Sequence, residues 1–266
     1  MPSYLVTGAS RGLGLAFVIH LASIADNTVI GLVRNREAAQ SKVPTELKDR
    51  IHFVQADITD ASTLQAAAKE TAGITGGSLD VLVNNAAYID APIKKLEDFS
   101  PEELSHEFSK SFSTNVTSVA LTINAFLPLI RKGTLKKVVT ISTGLADIDL
   151  TVEYDVYMTG VYSTSKAATN MLVAKYHASL GKSEGILFFS LSPGLVDTPE
   201  GRNVPSTEDQ AIMGEMGQKF GTYAPHFTGP ITPEESVRLQ MEVIGKATVE
   251  TQGGAFISQF GNKKWL

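Results

Sequence analysis

The sequence predicts a doubly wound α/β fold, a seven-stranded parallel sheet with helices on both faces. Three observations lead there. Short apolar runs rich in β-branched residues alternate with longer segments of helical period. The runs are continuously apolar, which means that both faces of each strand are covered. Parallel neighbours need right-handed crossovers, and helical segments follow most of the runs.

The runs are Tyr4–Thr7, Val29–Val33, Ile51–Val54, Leu79–Val83, Lys137–Ile141, Ile186–Leu191 and Gly254–Ile257. Helices are expected at about Leu13–Ile24, Ala61–Ala72, Pro101–Lys132, Tyr157–Gly181 and Pro233–Ile244. Ser100-Pro101-Glu102-Glu103 and Thr232-Pro233-Glu234-Glu235 each offer an N-cap hydroxyl, a proline where no N–H is needed and a glutamate to close a capping box. No repeat, low-complexity tract or charge run divides the chain, so one domain over residues 1–266 is expected. Two stretches break the pattern. Gly144–Thr159 separates the fifth strand from its helix, and Pro199–Pro230 is too long for a bare connection. The second is expected to be a substrate lid, at about 199–230, or to carry small helices of its own. Both follow strand C-termini, where open α/β sheets bind ligands.

Charged residues make up 19% and apolar residues 43% of the 266 positions, which fits a chain with much buried surface and excludes disorder as its main state. The net charge of −5 argues against a nucleic-acid surface. With no Cys, disulfides, thiolate metal sites and cysteine nucleophiles are excluded together. The five His never fall at metal-ligand spacing, so no metal is expected. Apolar stretches are interrupted within roughly six residues, short of the roughly 20 that span a bilayer, so no membrane partner is expected. The opening MPSYLVTGAS carries no basic leader, and a cytoplasmic location is the expectation.

The first strand ends in Thr7-Gly8-Ala9-Ser10-Arg11-Gly12-Leu13-Gly14, directly before a helix. Glycines at 8, 12 and 14 permit a tight turn and let backbone N–H groups approach a pyrophosphate at the helix N-terminus. The spacing GxxxGxG differs from the GxGxxG fingerprint. Further along, Tyr162 and Lys166 stand at i, i+4 and share a helix face, so an ammonium can sit beside a phenol. Lowering a tyrosine from about pKa 10 by about three units takes roughly 4 kcal/mol. A cation at about 4 Å supplies about that much at an effective dielectric of 20. The pair can therefore tune a general acid. Tyr154 and Tyr157 lack a lysine four residues on, and Tyr176 belongs to no motif.

Taken with Asp57-Ile58, the Asn84-Asn85-Ala86-Ala87 run, Asn115, the Ser142-Thr143 pair, Tyr162-Ser163-Thr164-Ser165-Lys166 and Pro193-Gly194-Leu195-Val196-Asp197-Thr198, the glycine turn gives seven ordered motifs. Over nearly its whole length the sequence resembles the classical branch of the short-chain dehydrogenase/reductase family, most of all fungal-type ketoreductases and single-domain carbonyl reductases. The resemblance implies a Rossmann-type sheet and catalytic roles for Tyr162, Lys166, Asn115 and a polarising hydroxyl. It implies that Asn115 interrupts its helix and holds a water linking Lys166 to solvent. Thr143 precedes Tyr162 by nineteen residues, a longer interval than the family's. Counting 28 residues from Asn115 to Thr143 matches the family's interval, so Thr143 is favoured as the hydroxyl, with Ser142 a close second.

By the same resemblance the cofactor is held by Gly8, Ser10, Arg11, Gly12, Leu13 and Gly14, by Asp57 and Ile58 at the adenine, and by Asn85, Ala86 and Ala87. Tyr162, Lys166, Pro193, Gly194, Val196 and Thr198 complete the set, the last group around the nicotinamide carboxamide. NAD-specific sites place an acid at the end of the second strand, where this chain reads Leu32-Val33-Arg34-Asn35-Arg36. Arg34 and Arg11, with Arg36 as a further contributor, could clamp a 2′-phosphate, so NADP(H) is preferred over NAD(H). In the lid, Met213, Met216, Phe220, Tyr223 and Phe227 either suit a hydrophobic or aromatic ketone or aldehyde or merely anchor the lid.

The expected activity is NADPH-dependent reduction of a small-molecule carbonyl to the alcohol, with Tyr162 as general acid/base. Two alternatives stay open: an NADP(H)-sensing protein without activity, and an epimerase or dehydratase of the same family. Many relatives pair through the two long helices and others are monomers, so homodimer and homotetramer are both open.

Overall fold

The computed structural model describes residues 1–89, 94–198 and 206–266. Among these, seven strands form one parallel sheet: β1 (Ser3–Thr7), β2 (Thr28–Val33), β3 (Ile51–Gln55), β4 (Val81–Asn84), β5 (Lys137–Ile141), β6 (Leu187–Ser192) and β7 (Phe256–Ser258). The spatial order is β3-β2-β1-β4-β5-β6-β7. The chain reverses its direction of travel between β1 and β4, which opens a crevice beyond the strand tips there. The helices are α1 (Gly12–Ala22), α2 (Arg36–Gln40), α3 (Ala61–Thr75), α4 (Pro101–Phe112), α5 (Ser118–Ile130), α6 (Ile148–Glu153), α7 (Gly160–Glu184), α8 (Thr207–Tyr223), α9 (Pro233–Lys246) and α10 (Val249–Gln252).

The continuous apolar strands are explained by two cores, one on each face. Val6, Val83, Val139 and Phe189 point to the layer of α1 and α9, where they meet Phe17 and Val237. Their neighbours Leu5, Leu82, Val138 and Phe188 point the other way, to Leu64 of α3, Ile123 and Phe126 of α5 and Val173 of α7. Each such side chain contributes about 1.5–3 kcal/mol by leaving water. A third cluster lies apart from these two. It joins Leu150 of α6, Val156, Met216 and Phe220 of α8, and Trp265 near the C-terminus.

One buried carboxylate ties the N-terminal edge of the sheet together. Asp80 accepts from Ser3 N (2.8 Å), Ser3 Oγ (3.0 Å), Thr134 N (2.7 Å) and Leu135 N (3.1 Å). Burial alone would push its carboxyl up, but these donors outweigh that and hold it below its usual value. Asp80→Ala should cost about 3 kcal/mol in urea unfolding, because it orphans several enclosed donors at once. The support that the carboxylate gives is present above pH 3.8, its ordinary value, and should fade as acid carries the protein below it.

Several local expectations need correction. Ser100 forms its full capping box with Glu103, but at Thr232 only the threonine half forms. Glu235 turns instead to Arg238, 2.7 Å away. The long helix expected over Pro101–Lys132 is divided by a π turn at Ser113–Thr117. The last long helix starts at Gly160, not Tyr157, because Thr159 sits in left-handed backbone at φ 53°. The stretch expected to be a lid carries α8, and its positions 199–205 lie outside the described residues. By length and composition Pro101–Ile130 could cross a bilayer, which counting uninterrupted apolar runs did not anticipate. Its apolar side chains Val119, Ile123, Phe126 and Ile130 are buried in the second core, against the sheet.

Candidate active site

Beyond the tip of β1 the glycine turn enters α1. A Cβ at Gly14 would fall 2.3 Å from the Gly8 carbonyl oxygen and 2.5 Å from Asn85 Nδ2, so no larger residue fits that backbone approach. Gly8 has φ 69° and lies against Ala86, where a Cβ would come within 2.9 Å of the Ala86 Cα. Arg11, the N-cap of α1, makes no side-chain cap, and no acid stands in the first turn. The helix N-terminus therefore turns its N–H groups and positive dipole end toward the crevice, as an anionic pyrophosphate requires. Ser10 and Arg11 lie in the same turn, and Leu13 packs against the first core.

Thr7 holds the neighbouring loop, a role the sequence did not single out. Its Oγ1 accepts from Asn85 N and Ala86 N, each at 3.0 Å, while Asn85 Nδ2 donates to the Thr7 carbonyl at 2.9 Å. Ala87 is exposed beside them. Thr198 reaches the turn from the other side, with its methyl 3.4 Å from where a Gly12 Cβ would stand. Its loop is braced at the base by Ser236 Oγ, which donates to the Pro193 carbonyl at 2.7 Å. Gly194 lies against Gln259, and Val196 forms a lone bridge to Ile231.

At the β2 and β3 tips, Arg34 is exposed, and its charge helps lower the Asp57 carboxyl. The larger cause is the pair of hydrogen bonds that Asp57 Oδ1 accepts from Thr59, at 2.7 Å from the hydroxyl and 2.9 Å from the N–H. Asp57 thus opens the turn toward α3, and Ile58 packs into the second core. Arg36 is tied to Glu70 at 2.6 Å, a partner 34 residues away that the sequence reading did not foresee.

Across the crevice, the N-terminal end of α7 carries Tyr162 and Lys166. Both are buried. Lys166 Nζ donates to the Ile141 carbonyl at the end of β5. Its complete burial pulls the ammonium down to about 8. One of its three donors is used on the Ile141 carbonyl, which leaves others for a ribose hydroxyl. Behind it, Asn115 lies in the π turn, an irregularity often found at functional positions. Its Oδ1 accepts from Tyr88 N at 2.7 Å, and its Nδ2 donates to Ser165 Oγ at 2.9 Å. The Asn115 carbonyl accepts from Thr169 Oγ1 at 2.8 Å, which ties the π turn to α7.

The two candidate hydroxyls differ in setting. Among the described residues, Ser142 Oγ is enclosed without a hydrogen-bond partner. Thr143 is half-buried at the strand tip, where its Oγ1 accepts from Leu145 N at 3.3 Å and keeps its own proton to give. Trp265 packs so tightly on the next residue that a Cβ at Gly144 would lie 2.6 Å from its own. The insert from 144 to 159 holds α6 and borders a cavity of about 440 Å³, lined by Leu96, Leu145, Ile148, Met158, Thr164 and Ala167 among others. Thr164 and Ala167 are on the face of α7 turned away from Tyr162 and Lys166, so this cavity adjoins the crevice without being it. The lid side chains divide. Met216 and Phe220 are buried anchors, with Tyr223 and Phe227 packed beside them, whereas Met213 is 44% exposed.

These features agree with what the chain is similar to. A family model described as short chain dehydrogenase matches residues 3–209. The short-chain dehydrogenase/reductase AacuF of Aspergillus aculeatus is 52% identical over 268 residues, and the short chain dehydrogenase virK of Hypocrea virens is 47% identical over 274, each match covering all of both chains. Among solved structures, the NADPH-bound carbonyl reductase from chicken fatty liver superposes with a TM-score of 0.77 at 25% identity, covering 98% of either chain. With a seven-stranded parallel Rossmann-like sheet and these matches, the chain belongs to the short-chain dehydrogenase/reductase family.

Proposed function

We propose that the protein is an NADPH-dependent carbonyl reductase that converts a hydrophobic ketone or aldehyde to its alcohol. The observation that carries this reading is a buried lysine ammonium four residues from a buried tyrosine, bonded to the Ile141 carbonyl at the tip of β5. Burying a charge is costly, and a positive group kept there favours an anionic neighbour.

The cradle at Gly8 and Gly14, the uncapped N-terminus of α1 and the further donors of Lys166 fit a dinucleotide. Gly8 to Gly14 and Thr198 would hold its phosphates and carboxamide, and Lys166 its ribose. When bound in reduced form, the nicotinamide supplies hydride. The chain supplies the proton: Tyr162 gives its phenolic hydrogen to the carbonyl oxygen, and the cation of Lys166 makes that loss easier. Thr143 donates to the same oxygen and orients it. Its half-exposed position favours it over the enclosed Ser142. Asn115 fixes Ser165 and the start of the loop at Tyr88, so it keeps α7 in place beside β4. The exposed Met213 suits an apolar substrate.

The test is NADPH oxidation followed in absorbance against a panel of aromatic and aliphatic ketones and aldehydes. Turnover of apolar members supports the reading, and tight NADPH binding without turnover of any member favours a cofactor sensor. The cofactor preference rests on Arg34 and Arg11, since no acid ends β2. Arg34→Ala should raise the KM for NADPH about tenfold and leave that for NADH nearly unchanged, as expected for one lost charge-assisted contact to a 2′-phosphate.

A further inference from the structure

The insert between Thr143 and Tyr162 contains two non-glycine residues in left-handed backbone, Asp155 at φ 50° and Thr159 at φ 53°. Asp tolerates that region, but a β-branched threonine does so only when its surroundings impose it. Thr159 is buried, and it is the residue from which α7 springs. Its carbonyl accepts from Ser163 N at 2.8 Å, the bond that closes the first turn of α7 around Tyr162. Whatever holds Thr159 therefore sets where Tyr162 begins.

The holding groups come from the lid. Lys219 Nζ donates to the Asp155 carbonyl at 2.6 Å. Tyr157 donates its hydroxyl to Glu215 Oε2 at 2.6 Å. Lys219 closes the triangle to Glu215 at 3.1 Å, and its ammonium stands 4.9 Å from the centre of the Tyr157 ring. A second ammonium, Lys95, stands 5.0 Å from the same ring. Between these polar contacts Val156 packs with Met216 and Phe220. Residues 215, 216, 219 and 220 fall at i, i+1, i+4 and i+5, so a single stripe of α8 grips three consecutive residues of the insert.

We propose that Tyr157, Glu215 and Lys219 are positioning residues for carbonyl reduction. They form a clasp that keeps the left-handed turns at Asp155 and Thr159 in place and so fixes the start of α7 relative to Thr143. A long loop costs more closure entropy than a short one, and eighteen residues separate Thr143 from Tyr162, which is why the insert needs an external hold. The three side chains are partly exposed and outside both main cores, so global stability depends on them little. The effect on turnover rests on the carbonyl-reductase reading; the clasp itself does not.

The experiment compares full-length wild type with Tyr157→Phe, Glu215→Ala, Glu215→Gln and the Tyr157→Phe/Glu215→Ala double variant. Three quantities are read: steady-state kinetics, amide exchange over residues 145–163, and the fluorescence of Trp265, the one tryptophan, which is 3% exposed within the same cluster. Tyr157→Phe and Glu215→Ala should each lower kcat about tenfold while KM for NADPH stays within about twofold, because the reacting groups shift and the cofactor cradle does not. The double variant should be no worse than Glu215→Ala alone, since the bond that Tyr157→Phe removes is already lost there. Glu215→Gln, whose amide oxygen can still accept a hydrogen bond from the Tyr157 hydroxyl, should recover most of the rate. Exchange at 155–163 should rise about tenfold in the impaired variants, with Trp265 emission shifting as the cluster loosens. Unchanged exchange at 155–163 overturns the clasp, as does an undiminished kcat or losses that multiply in the double variant. Should the wild type reduce no carbonyl at all, the functional reading falls, and the exchange measurement alone still decides the clasp.

Discussion

Tyr162→Phe should lower kcat for carbonyl reduction by about 10²–10⁴, with NADPH binding and the melting temperature nearly unchanged. The substitution removes a single oxygen from a buried ring, so packing against the crevice wall is preserved. What disappears is the proton given to the substrate oxygen in the transition state, and that loss falls on kcat and kcat/KM together. Neither tyrosine of the insert can take over the role. The Tyr157 hydroxyl is bonded to Glu215, and this bond, with burial and the negative charge behind it, pushes its pKa up to about 12. It therefore holds its proton more tightly than a free tyrosine, the reverse of what an acid catalyst at neutral pH needs. The Tyr154 ring packs edge-on against Tyr223 at 5.3 Å, in the apolar cluster under the lid. Stopped-flow traces with saturating NADPH would separate the chemical step from product release. A Tyr162→Phe protein that turns over at the wild-type rate would remove the basis for the roles given to Tyr162 and Lys166 together.

Much of this arrangement was legible because the signals are local. Continuous apolar strands such as Val138–Ile141 can only be covered on both faces, and the Ser100 capping box is written in four consecutive residues. The helical spacing of Tyr162 and Lys166 placed both on one face of α7. What escaped depends on partners distant in sequence. Arg36 looked available for a phosphate until Glu70 claimed it. Thr7 reads as the last residue of a strand, yet its hydroxyl pins the Asn85 loop 78 positions away. The α6 helix escaped for another reason. It has only six residues, and Ile148 and Val152 are 74% and 72% exposed, so its apolar pattern points outward and signals no buried face. The start of α7 shifted by three residues because Thr159 adopts a backbone that residue type rarely takes. Met213, Met216 and Phe220 could not be sorted into lining and anchor from composition, since both roles use the same side chains.

Lys166 should make the apoprotein more stable in mild alkali than at neutrality. Its ammonium is buried and pulled down to about 8 from 10.5 by the loss of water around it. Below pH 8 folded and unfolded chains both carry the proton, and the folded state bears the full cost of enclosing a charge. Between 8 and 10.5 the unfolded chain binds a proton that the folded one has released, so the unfolding free energy rises with pH across that window. A shift of this size corresponds to about 3 kcal/mol over the whole interval. Other groups also titrate there, and Lys166→Met isolates this one. The variant loses its hydrogen bond to the Ile141 carbonyl, worth about 1 kcal/mol, but no longer buries a charge. It should therefore be more stable than wild type at pH 7 by about 2 kcal/mol, and the difference should vanish or reverse by about pH 10. Its reductase activity should fall by about 10² or more, because the acid loses its cation and the ribose loses a donor. Urea titrations at pH 7, 8, 9 and 10 on both proteins would measure the crossing. Parallel curves would mean that Lys166 pays no charge penalty in the folded apoprotein. A stabilised and inactive variant would instead show that the fold tolerates this costly residue because catalysis uses its charge.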